Sequence, residues 1–209
     1  MRAIPREVHD AFVRDVVTAY AFGLWCADGY WWSSSIGVSN VEPVLVTRFA
    51  SALRCHLPPE RLRLRIYLVP GDPPSPSVLE LTENISVCRA SKMARTAYHL
   101  YVNSRPLLRM ARRDRDQLER LPEKYLGPYF AGRFDGDGCL GSTPRLSYTT
   151  RDEADVDRDL LDRAGICSTS VLYYRKANEY CIYIQQASWE QFERLIEPFS
   201  YKVTRRVTP

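Results

Sequence analysis

The sequence predicts an α+β fold built from two pseudo-symmetric αββαββα repeats. The first reason is a nine-residue motif that occurs at residues 21–29 and again at 130–138, about half the chain apart. Each copy is an apolar helical stretch with a small residue in its middle, and each ends in Asp-Gly. The second reason is that both halves follow the order helix, hairpin, helix, hairpin, helix. Such internal similarity is typical of a duplicated architecture.

The first half is predicted from residue periodicity. A helix over about 10–27 is apolar on more than one face and should be buried on several sides. A hairpin over 30–40 should direct Ile36 and Val38 into a core. The remaining predicted elements are a helix at 42–57, a strand at 61–69, a proline-rich loop at 70–76, a short helix at 78–84, strands at 86–90 and 96–103, and a helix at 105–113.

The second half repeats this order after a charged link at 112–124. The predicted elements are a motif helix opened by Gly127-Pro128, a strand at 145–149, a helix at 152–164, a hairpin formed by 168–176 and 180–185, a helix at 188–199 and a loose basic tail at 201–209. The patterns of 98–103 and 180–185 also match, but their separation is shorter than that of the motifs. We therefore predict repeats at 1–118 and 119–209, with an insertion at about 70–95 in the first.

Composition narrows the class of protein. The formal net charge is +4, 45% of residues are hydrophobic, and no apolar run is long enough to span a membrane. The N-terminus lacks the apolar core of a signal peptide. The six cysteines show neither a C-x-x-C pair nor a cluster with histidine, which argues against a zinc site and favours reduced intracellular thiols. We expect an intracellular protein, in the cytoplasm or an organelle matrix, with no membrane partner.

The two motif helices carry glycines where helices rarely do. Gly23 and Gly132 lie in mid-helix, where glycine costs roughly 0.5–1 kcal/mol relative to alanine. Each is followed four residues later by another small residue, Ala27 or Gly136. Small residues at this spacing allow another helix backbone to approach closely. We therefore predict that the two motif helices pack against each other.

That packing would bring together the acids at the two helix ends. Asp28 and Asp137 would form a pair of like charges where the helix dipoles are already negative. Such a pair is unfavourable unless it binds a cation, most simply Mg²⁺. An EF-hand is excluded, because Cys139 and Leu146 fall at its ligand positions.

The strand at 61–69 is amphipathic in an unusual way. Leucine and isoleucine alternate with Arg61, Arg63, Arg65 and Tyr67, and no acidic residue interrupts them. A solvated strand face could also be basic. The combination of arginine and aromatic residues nevertheless favours a nucleic-acid face.

Both motif copies resemble the LAGLIDADG motif of the homing endonucleases, and the element order of each half resembles the repeat of that family. Two copies in one chain imply the monomeric two-motif type, with no obligate protein partner. The second copy is close to the family pattern, whereas the first departs at Ala21, Phe22, Trp25 and Cys26. The final acid is kept in both. Arg133 is a charged residue in an apolar helix, and we expect it on the outer or DNA-proximal side.

The resemblance implies a fold, an activity and a set of ligands. The motif helices would pack at the centre, beneath two antiparallel saddle-shaped sheets that lie in successive major grooves of double-stranded DNA. Asp28 and Asp137 would bind two or more divalent cations, with the backbone carbonyls of Ala27 and Gly136 as auxiliary ligands. Mg²⁺ would support cleavage, and Mn²⁺ or Ca²⁺ could replace it for binding. The product would be a double-strand break with short 3′ overhangs in a long, asymmetric target.

The outward strand faces then become predicted DNA contacts. In the first half these are Ser35, Ser39, Arg63, Arg65, Tyr67, His99 and Tyr101. In the second half they are Arg145, Ser147, Thr149, Arg175, Tyr183 and Gln185. A histidine such as His99, taken alone, is more often an ordinary surface residue. The family also has a polar or basic residue near each scissile phosphate, and Asn40 and Thr150, with Arg151 adjacent, occupy that region.

Two other functions fit the same residues. The fold could serve an RNA maturase that binds intron RNA, or a catalytically inactive nucleic-acid-binding protein. The retained Asp28 and Asp137 argue against an inactive nuclease but leave a bifunctional maturase open. No helix-turn-helix appendage is visible, which argues against a transcriptional regulator. An intein lacks support, because the chain begins at Met1 and no splicing block surrounds the repeats.

Overall fold

A computed structural model describes residues 11–30, 34–90 and 92–207 of the chain. The helices are α1 (Val16–Asp28), α2 (Pro43–Arg54), α3 (Pro76–Leu79), α4 (Arg105–Asp116), α5 (Leu126–Asp137), α6 (Arg151–Arg163), α7 (Gln186–Ile196) and α8 (Tyr201–Val207). The strands are β1 (Ser35–Asn40), β2 (Arg63–Leu68), β3 (Ile85–Arg89), β4 (Ala97–Asn103), β5 (Gly138–Cys139), β6 (Arg145–Tyr148), β7 (Thr169–Tyr174) and β8 (Glu179–Ile184). The order of elements confirms the predicted α+β class. Part of the first predicted hairpin, residues 31–33, lies outside the described residues.

The first motif helix begins later than predicted, at a strong cap. The Asp15 carboxylate accepts a hydrogen bond from the Thr18 backbone N–H at 2.8 Å, and the Thr18 hydroxyl accepts one from the Asp15 backbone N–H at 3.0 Å. This reciprocal capping box satisfies donors that a helix N-terminus otherwise leaves unpaired. Every residue of 18–25 is buried, which confirms that this helix is enclosed on several sides.

Helices α1 and α5 form the centre of the molecule through two glycines. A Cβ atom on Gly23 would stand 2.0 Å from the Tyr129 carbonyl oxygen, and a Cβ on Gly132 would stand 2.0 Å from the Tyr20 carbonyl oxygen. Neither distance is possible for a real side chain. The predicted packing of the motif helices along their small residues is therefore confirmed.

Each half contributes a four-stranded sheet that packs its apolar face on the helices. The strand orders are β1-β4-β2-β3 and β5-β6-β8-β7. Their inward residues include Ile36 and Val38, as predicted, with Leu64 and Ile66 beside them in the first sheet. The second sheet places Leu146 and Ile182 in the equivalent layer.

One strand departs from the predicted antiparallel arrangement. β3 pairs with β2 in parallel at the outer edge of the first sheet, whereas all other strand pairs of the described residues are antiparallel. A parallel neighbour requires a crossover of about a dozen residues or more, usually with a helix in it. The segment between β2 and β3, which contains α3, supplies that crossover. β3 lies within the predicted insertion and has no counterpart in the second sheet.

The C-terminal segment is also different from the prediction. The sequence predicts a loose tail at 201–209, but Tyr201–Val207 form α8, and residues 208–209 lie outside the described residues. Ser200 begins this helix, since its hydroxyl accepts a hydrogen bond from the Val203 backbone N–H at 3.2 Å. The predicted boundary at residues 118 and 119 falls in the connection between α4 and α5. Among the described residues, no helix has the length and apolar character needed to cross a membrane.

Candidate metal centre and nucleic-acid face

The two motif acids come together at the ends of the central helices. Asp28 is the last residue of α1, and Asp137 is the last residue of α5. A Cβ atom on Gly136 would lie 2.4 Å from the Ala27 Cβ and 3.3 Å from Asp28 Oδ2. The backbone of the second motif thus runs directly beside the first carboxylate, and only glycine fits between them.

The environment of this pair disfavours two bare carboxylates. Burial, reinforced by the negative charge of Asp137, raises the pKa of Asp28 to about 6. Burial also raises the pKa of Asp137, against the opposing charges of Arg133 and Lys202. Groups whose pKa is perturbed by burial and by a like charge are candidates for a functional site. A hard cation is the simplest ligand that would stabilise both ionised acids.

Asn40 orients the first carboxylate. Its side-chain amide donates a hydrogen bond to Asp28 Oδ2 at 2.7 Å, and its carbonyl oxygen accepts one from the Glu42 backbone N–H at 2.8 Å. The second bond fixes which end of the amide faces Asp28. Asn40 was predicted to lie near the scissile phosphate, and the structure places it at the carboxylate.

In the second half, no side-chain amide of the described residues is hydrogen-bonded to the motif acid. Asn40 pairs with Tyr98 in the first sheet, and the matching pair in the second sheet is Tyr148 with Tyr180. Tyr148 is buried, and its hydroxyl donates to Asp157 at 2.8 Å. The predicted partner Thr150 instead caps α6 by accepting from the Glu153 backbone N–H at 3.3 Å. The Arg151 side chain pairs with Asp155 at 2.8 Å on the same helix, so these two residues do not reproduce the role of Asn40.

Lys202 is the site residue that the sequence prediction missed. Its Nζ donates to the carbonyl oxygens of Gly138 at 2.8 Å, Gly136 at 3.0 Å and Phe134 at 3.1 Å. These carbonyls end helix α5, where a cation is favoured by the helix dipole. Lys202 was assigned to a loose tail. The available signal was Ser200, a good helix cap, immediately before an uninterrupted helical pattern.

Asp135 anchors the helix that carries this lysine. Its carboxylate accepts hydrogen bonds from the Ser200 hydroxyl at 2.7 Å, the Tyr201 backbone N–H at 2.7 Å and the Lys202 backbone N–H at 2.9 Å. Tyr20 in α1 donates to the same carboxylate at 2.5 Å. Asp135 is the first acid of the second motif, and Cys26 replaces the equivalent acid in the first. The motif that has this acid is therefore the one whose carboxylate caps the C-terminal helix.

Arg133 lies inside the molecule, so its predicted outer or DNA-proximal position is wrong. Only 4% of the residue is exposed. Its guanidinium stacks over the Tyr148 ring at 4.4 Å, and its Nε lies 3.3 Å from the Asp157 carboxylate. Asp157 also accepts a hydrogen bond from Tyr129 at 2.8 Å. A buried guanidinium is tolerated because a buried carboxylate and an aromatic face compensate its lost hydration.

The predicted contacts of the first half share one face of the first sheet. Tyr101 lies between Gly37 and Arg63, and His99 lies between Ser39 and Arg65. Tyr67 and Ser35 continue this face in the neighbouring rows. Arg63 and Arg65 are exposed, as a surface that contacts DNA requires.

His99 is the exception on this face. It is only 6% exposed, its ring stacks on Tyr101 with centroids 4.8 Å apart, and Tyr30 lies over it at 4.4 Å. Burial lowers its pKa to about 4, so the ring is neutral at neutral pH. The structure therefore does not present His99 for base contact. Its ring instead packs against the aromatic rings of Tyr30 and Tyr101.

The second sheet brings together most of its predicted contacts. Arg145 pairs with Tyr183, and Ser147 pairs with Cys181, on the face opposite Leu146 and Ile182. Gln185 follows on the same face and donates to the Ser170 hydroxyl at 2.9 Å. Exposed Thr149 follows the end of β6. Arg175 is not on this face, because β7 ends at Tyr174 and Arg175 lies in the turn before β8. On β7, the residues that lie on this face are Ser170, Leu172 and Tyr174, which the sequence prediction missed.

The donor set suits a hard divalent cation. Two carboxylates and the adjoining backbone carbonyls supply oxygen ligands, which Mg²⁺ prefers. No group of three His, Cys, Asp or Glu side chains that could hold a metal converges within the described ranges. Further ligands would therefore be backbone oxygens, water or substrate. This arrangement is typical of a metal ion that acts on a phosphate-containing ligand.

The fold defined by these elements is that of the LAGLIDADG homing endonucleases. I-DmoI in complex with DNA and Ca matches with a TM-score of 0.67 at 12% identity, over 91% of this chain and 96% of that chain. I-WcaI bound to its DNA recognition sequence matches with a TM-score of 0.59 at 11% identity, over 92% and 85%.

A third solved structure has the same fold across a longer chain. Full-length DUF199/WhiA from Thermatoga maritima matches with a TM-score of 0.57 at 13% identity, over 100% of this chain and 68% of that chain. No protein-family model and no curated protein sequence matches the chain. The structural matches demonstrate a shared fold. Because the identities are this low, they demonstrate nothing more, and the activity has to be argued from the residues of this chain.

Proposed function

We propose that this protein is a site-specific DNA endonuclease that makes a metal-dependent double-strand break in a long, asymmetric target and acts as a monomer. The observation that carries this proposal is the pairing of Asp28 and Asp137 at the ends of two tightly packed helices. Two half-buried acids side by side are unfavourable in a merely structural role. The DNA-bound structures of I-DmoI and I-WcaI support the same class of ligand.

The acidic pair would hold the divalent cations. The ligands would be Asp28, Asp137, the carbonyl of Ala27 and the remaining lone pair of the Gly136 carbonyl. When bound, such cations stabilise the attacking and leaving oxygens of an in-line phosphodiester hydrolysis. I-DmoI has been solved with DNA and Mn and with DNA and Ca, which agrees with Mg²⁺ as the working ion and other divalent ions as substitutes.

The chain itself positions the acids for this chemistry. The Asn40 amide holds the Asp28 carboxylate, and this hydrogen bond opposes the rise in pKa that burial causes, which favours the ionised form needed for metal binding. Lys202 and Arg133 reduce the repulsion between Asp28 and Asp137. The aligned glycines fix the distance between the two helix ends. The residues are thus arranged before any ligand arrives, which is a general requirement for efficient catalysis.

The two sheet faces would read the target. Exposed Arg63 and Arg65 are suited to guanine, and Gln185 is suited to adenine, in the major groove. Tyr67, Tyr101 and Tyr183 add apolar contact area on the same faces. The two faces carry different residues, which supports a target without two-fold symmetry. An intron-linked DNA site, binding of intron RNA and an intracellular location in the cytoplasm or an organelle matrix belong to the same proposal.

The test is plasmid cleavage from a library of randomised long sites in the presence of Mg²⁺. Wild type should linearise a subset of plasmids, and Asp28→Asn and Asp137→Asn should each abolish linearisation. Asp159→Asn removes an exposed acid on α6 and serves as the matched control. Undiminished cutting by both site variants would overturn the assignment. Tight binding of intron RNA with no cutting of any plasmid would support a maturase instead.

A further inference from the structure

The Lys202 ammonium is surrounded by carbonyl oxygens in the manner of a bound cation. It contacts the carbonyls of Phe134, Gly136 and Gly138 at 2.8–3.1 Å. An ammonium has three N–H donors, and three acceptors use all of them. Lys202 therefore has no free donor for a phosphate oxygen while these bonds persist. Its role is that of a charge held at a set position beside the Gly136 carbonyl.

We propose that Lys202 is a built-in cation of the second half of the metal centre, which takes the place of one divalent ion beside the Gly136 carbonyl. This inference rests on the metal site proposed above. The resemblance implied the Gly136 carbonyl as a metal ligand, and in the structure that carbonyl already has a positive partner. Lys202 is thus a positioning residue, which reduces the number of divalent ions that the pair of acids requires.

The two halves of the site differ in a way that fits this role. Asp28 has a neutral partner, the Asn40 amide at 2.7 Å. The position that matches Asn40 in the second sheet is Tyr148, which faces Asp157 in the core. Among the described residues, no equivalent amide is hydrogen-bonded to Asp137, and Lys202 enters from the C-terminal helix α8 to supply positive charge near both acids. The charge balance of the second half therefore depends on the C-terminal helix.

The anchoring of α8 makes the position of this charge reproducible. Asp135 holds the backbone N–H groups of Tyr201 and Lys202 and the hydroxyl of Ser200. Arg48 reinforces the junction by donating to the Phe199 carbonyl. A lysine side chain loses up to about 2 kcal/mol of conformational free energy when it is fixed, so a free tail would not place it. The cap on α8 and the bonds of Nζ together overcome this cost.

The experiment counts divalent ions on the intact chain. Mn²⁺ binding is measured by isothermal titration calorimetry and by electron paramagnetic resonance of free Mn²⁺, for wild type, Lys202→Met, Lys202→Gln and Lys202→Arg. Lys124→Met, a lysine just before the opposite end of α5, is the matched control. Lys202→Met and Lys202→Gln should each bind one more Mn²⁺ per chain than wild type. Lys202→Arg and the control should keep the wild-type number.

Equal Mn²⁺ numbers in wild type and both neutral variants would overturn the proposal. If both neutral variants unfold, the same titration is followed by circular dichroism, and Mn²⁺ should restore the fold by replacing the missing charge. Failure of saturating Mn²⁺ to restore it would also overturn the proposal. Counting bound ions does not depend on cleavage. If the wild type does not cut DNA, this result contradicts only the proposed nuclease function. An active wild type with unchanged ion numbers contradicts only the role of Lys202.

Discussion

Gly23 in α1 lies against the backbone of Tyr129 in α5, so closely that a Cβ atom would stand 2.0 Å from the Tyr129 carbonyl oxygen. The reverse contact, Gly132 against Tyr20, has the same distance. Two equal contacts of this kind are what a local two-fold axis between the motif helices produces. The two helices end at Asp28 and Asp137. The local symmetry is lost there, because the two acids have different partners.

Substitution of either central glycine should destabilise the whole molecule. Gly132→Ala must push the helices apart, and we expect a loss of about 3 kcal/mol in the free energy of unfolding, measured by urea denaturation. Gly141→Ala is the control, since the nearest atom to its Cβ would be Cys139 Sγ at 3.9 Å. An unchanged urea midpoint for Gly132→Ala would contradict the close packing described here.

Asp28→Asn should stabilise the protein at neutral pH while it abolishes cleavage. The pKa of Asp28 rises from 3.8 to about 6 on folding, so the folded chain holds the proton more tightly than the unfolded chain does. Stability therefore falls as pH rises from about 4 to 6, and the ionised carboxylate costs about 3 kcal/mol above that window. Asparagine removes this cost.

The measurement is the melting temperature of both proteins against pH. Asp28→Asn should melt higher than wild type at pH 7.5, and the difference should vanish near pH 3.5, where wild-type Asp28 is protonated. Mg²⁺ should raise the wild-type melting temperature at pH 7.5 more than that of the variant. A variant that melts lower at pH 7.5 would show that the carboxylate is structural.

Asp135→Ala should release the C-terminal helix. The substitution leaves the Tyr20 hydroxyl and the N-terminal donors of α8 without their acceptor, and we expect a loss of about 3 kcal/mol. Limited digestion with trypsin should then cut after Lys202 and Arg205 before it cuts elsewhere. Asp159→Ala is the comparison, because that carboxylate is 69% exposed and should matter little. Equal digestion of the two variants would exclude Asp135 as the anchor.

Arg133→Met should be strongly destabilising even though no DNA contact is involved. It leaves the buried Asp157 carboxylate without its positive partner, and breaking one side of a buried ion pair typically costs about 3–5 kcal/mol. Thermal unfolding measures this loss. DNA affinity, measured below the melting temperature, should stay within twofold of wild type. A large loss of affinity with normal stability would restore the predicted DNA-proximal role of Arg133.

A comparison of Arg65→Ala with His99→Ala should distinguish a residue that contacts DNA bases from a residue that supports the sheet. Arg65 is exposed on the sheet face, so its loss should relax specificity at one base position by about 1–3 kcal/mol and leave the fold intact. His99 is buried beneath Tyr30 and beside Tyr101, so its loss should lower the melting temperature and leave base preference unchanged. Selection from a randomised target library, with a melting curve for each variant, measures both effects.

The central features could be predicted because they depend on local patterns. Glycine at Gly23 and Gly132, with an acid five residues later, specifies both the helix contact and the acidic pair. Strand alternation assigned Arg63, Arg65 and Tyr101 to one face correctly. A motif and a period of two are properties of neighbouring residues, and the sequence displays them directly.

The features that were missed depend on long-range partners. Arg133 could be buried only because Asp157 and Tyr148 accompany it, and no local pattern reveals that pairing. Lys202 reaches the site because Asp135, distant in sequence, caps its helix. The parallel pairing of β3 follows from a crossover path, and the turn position of Arg175 follows from the register of β7. Each of these is set by tertiary contacts.

The extra strand β3 extends the outer edge of the first sheet, and among the described residues the second sheet has no equivalent strand. Adjacent strands are about 4.8 Å apart, so β3 widens the first sheet by that amount beyond β2. Ser86 and Cys88 of this strand are in register with Arg65 and Tyr67 and continue their face. Base pairs in DNA stack about 3.4 Å apart, so the added width corresponds to roughly one further base pair. The protected footprint should therefore extend farther from the cut on the side bound by the N-terminal half.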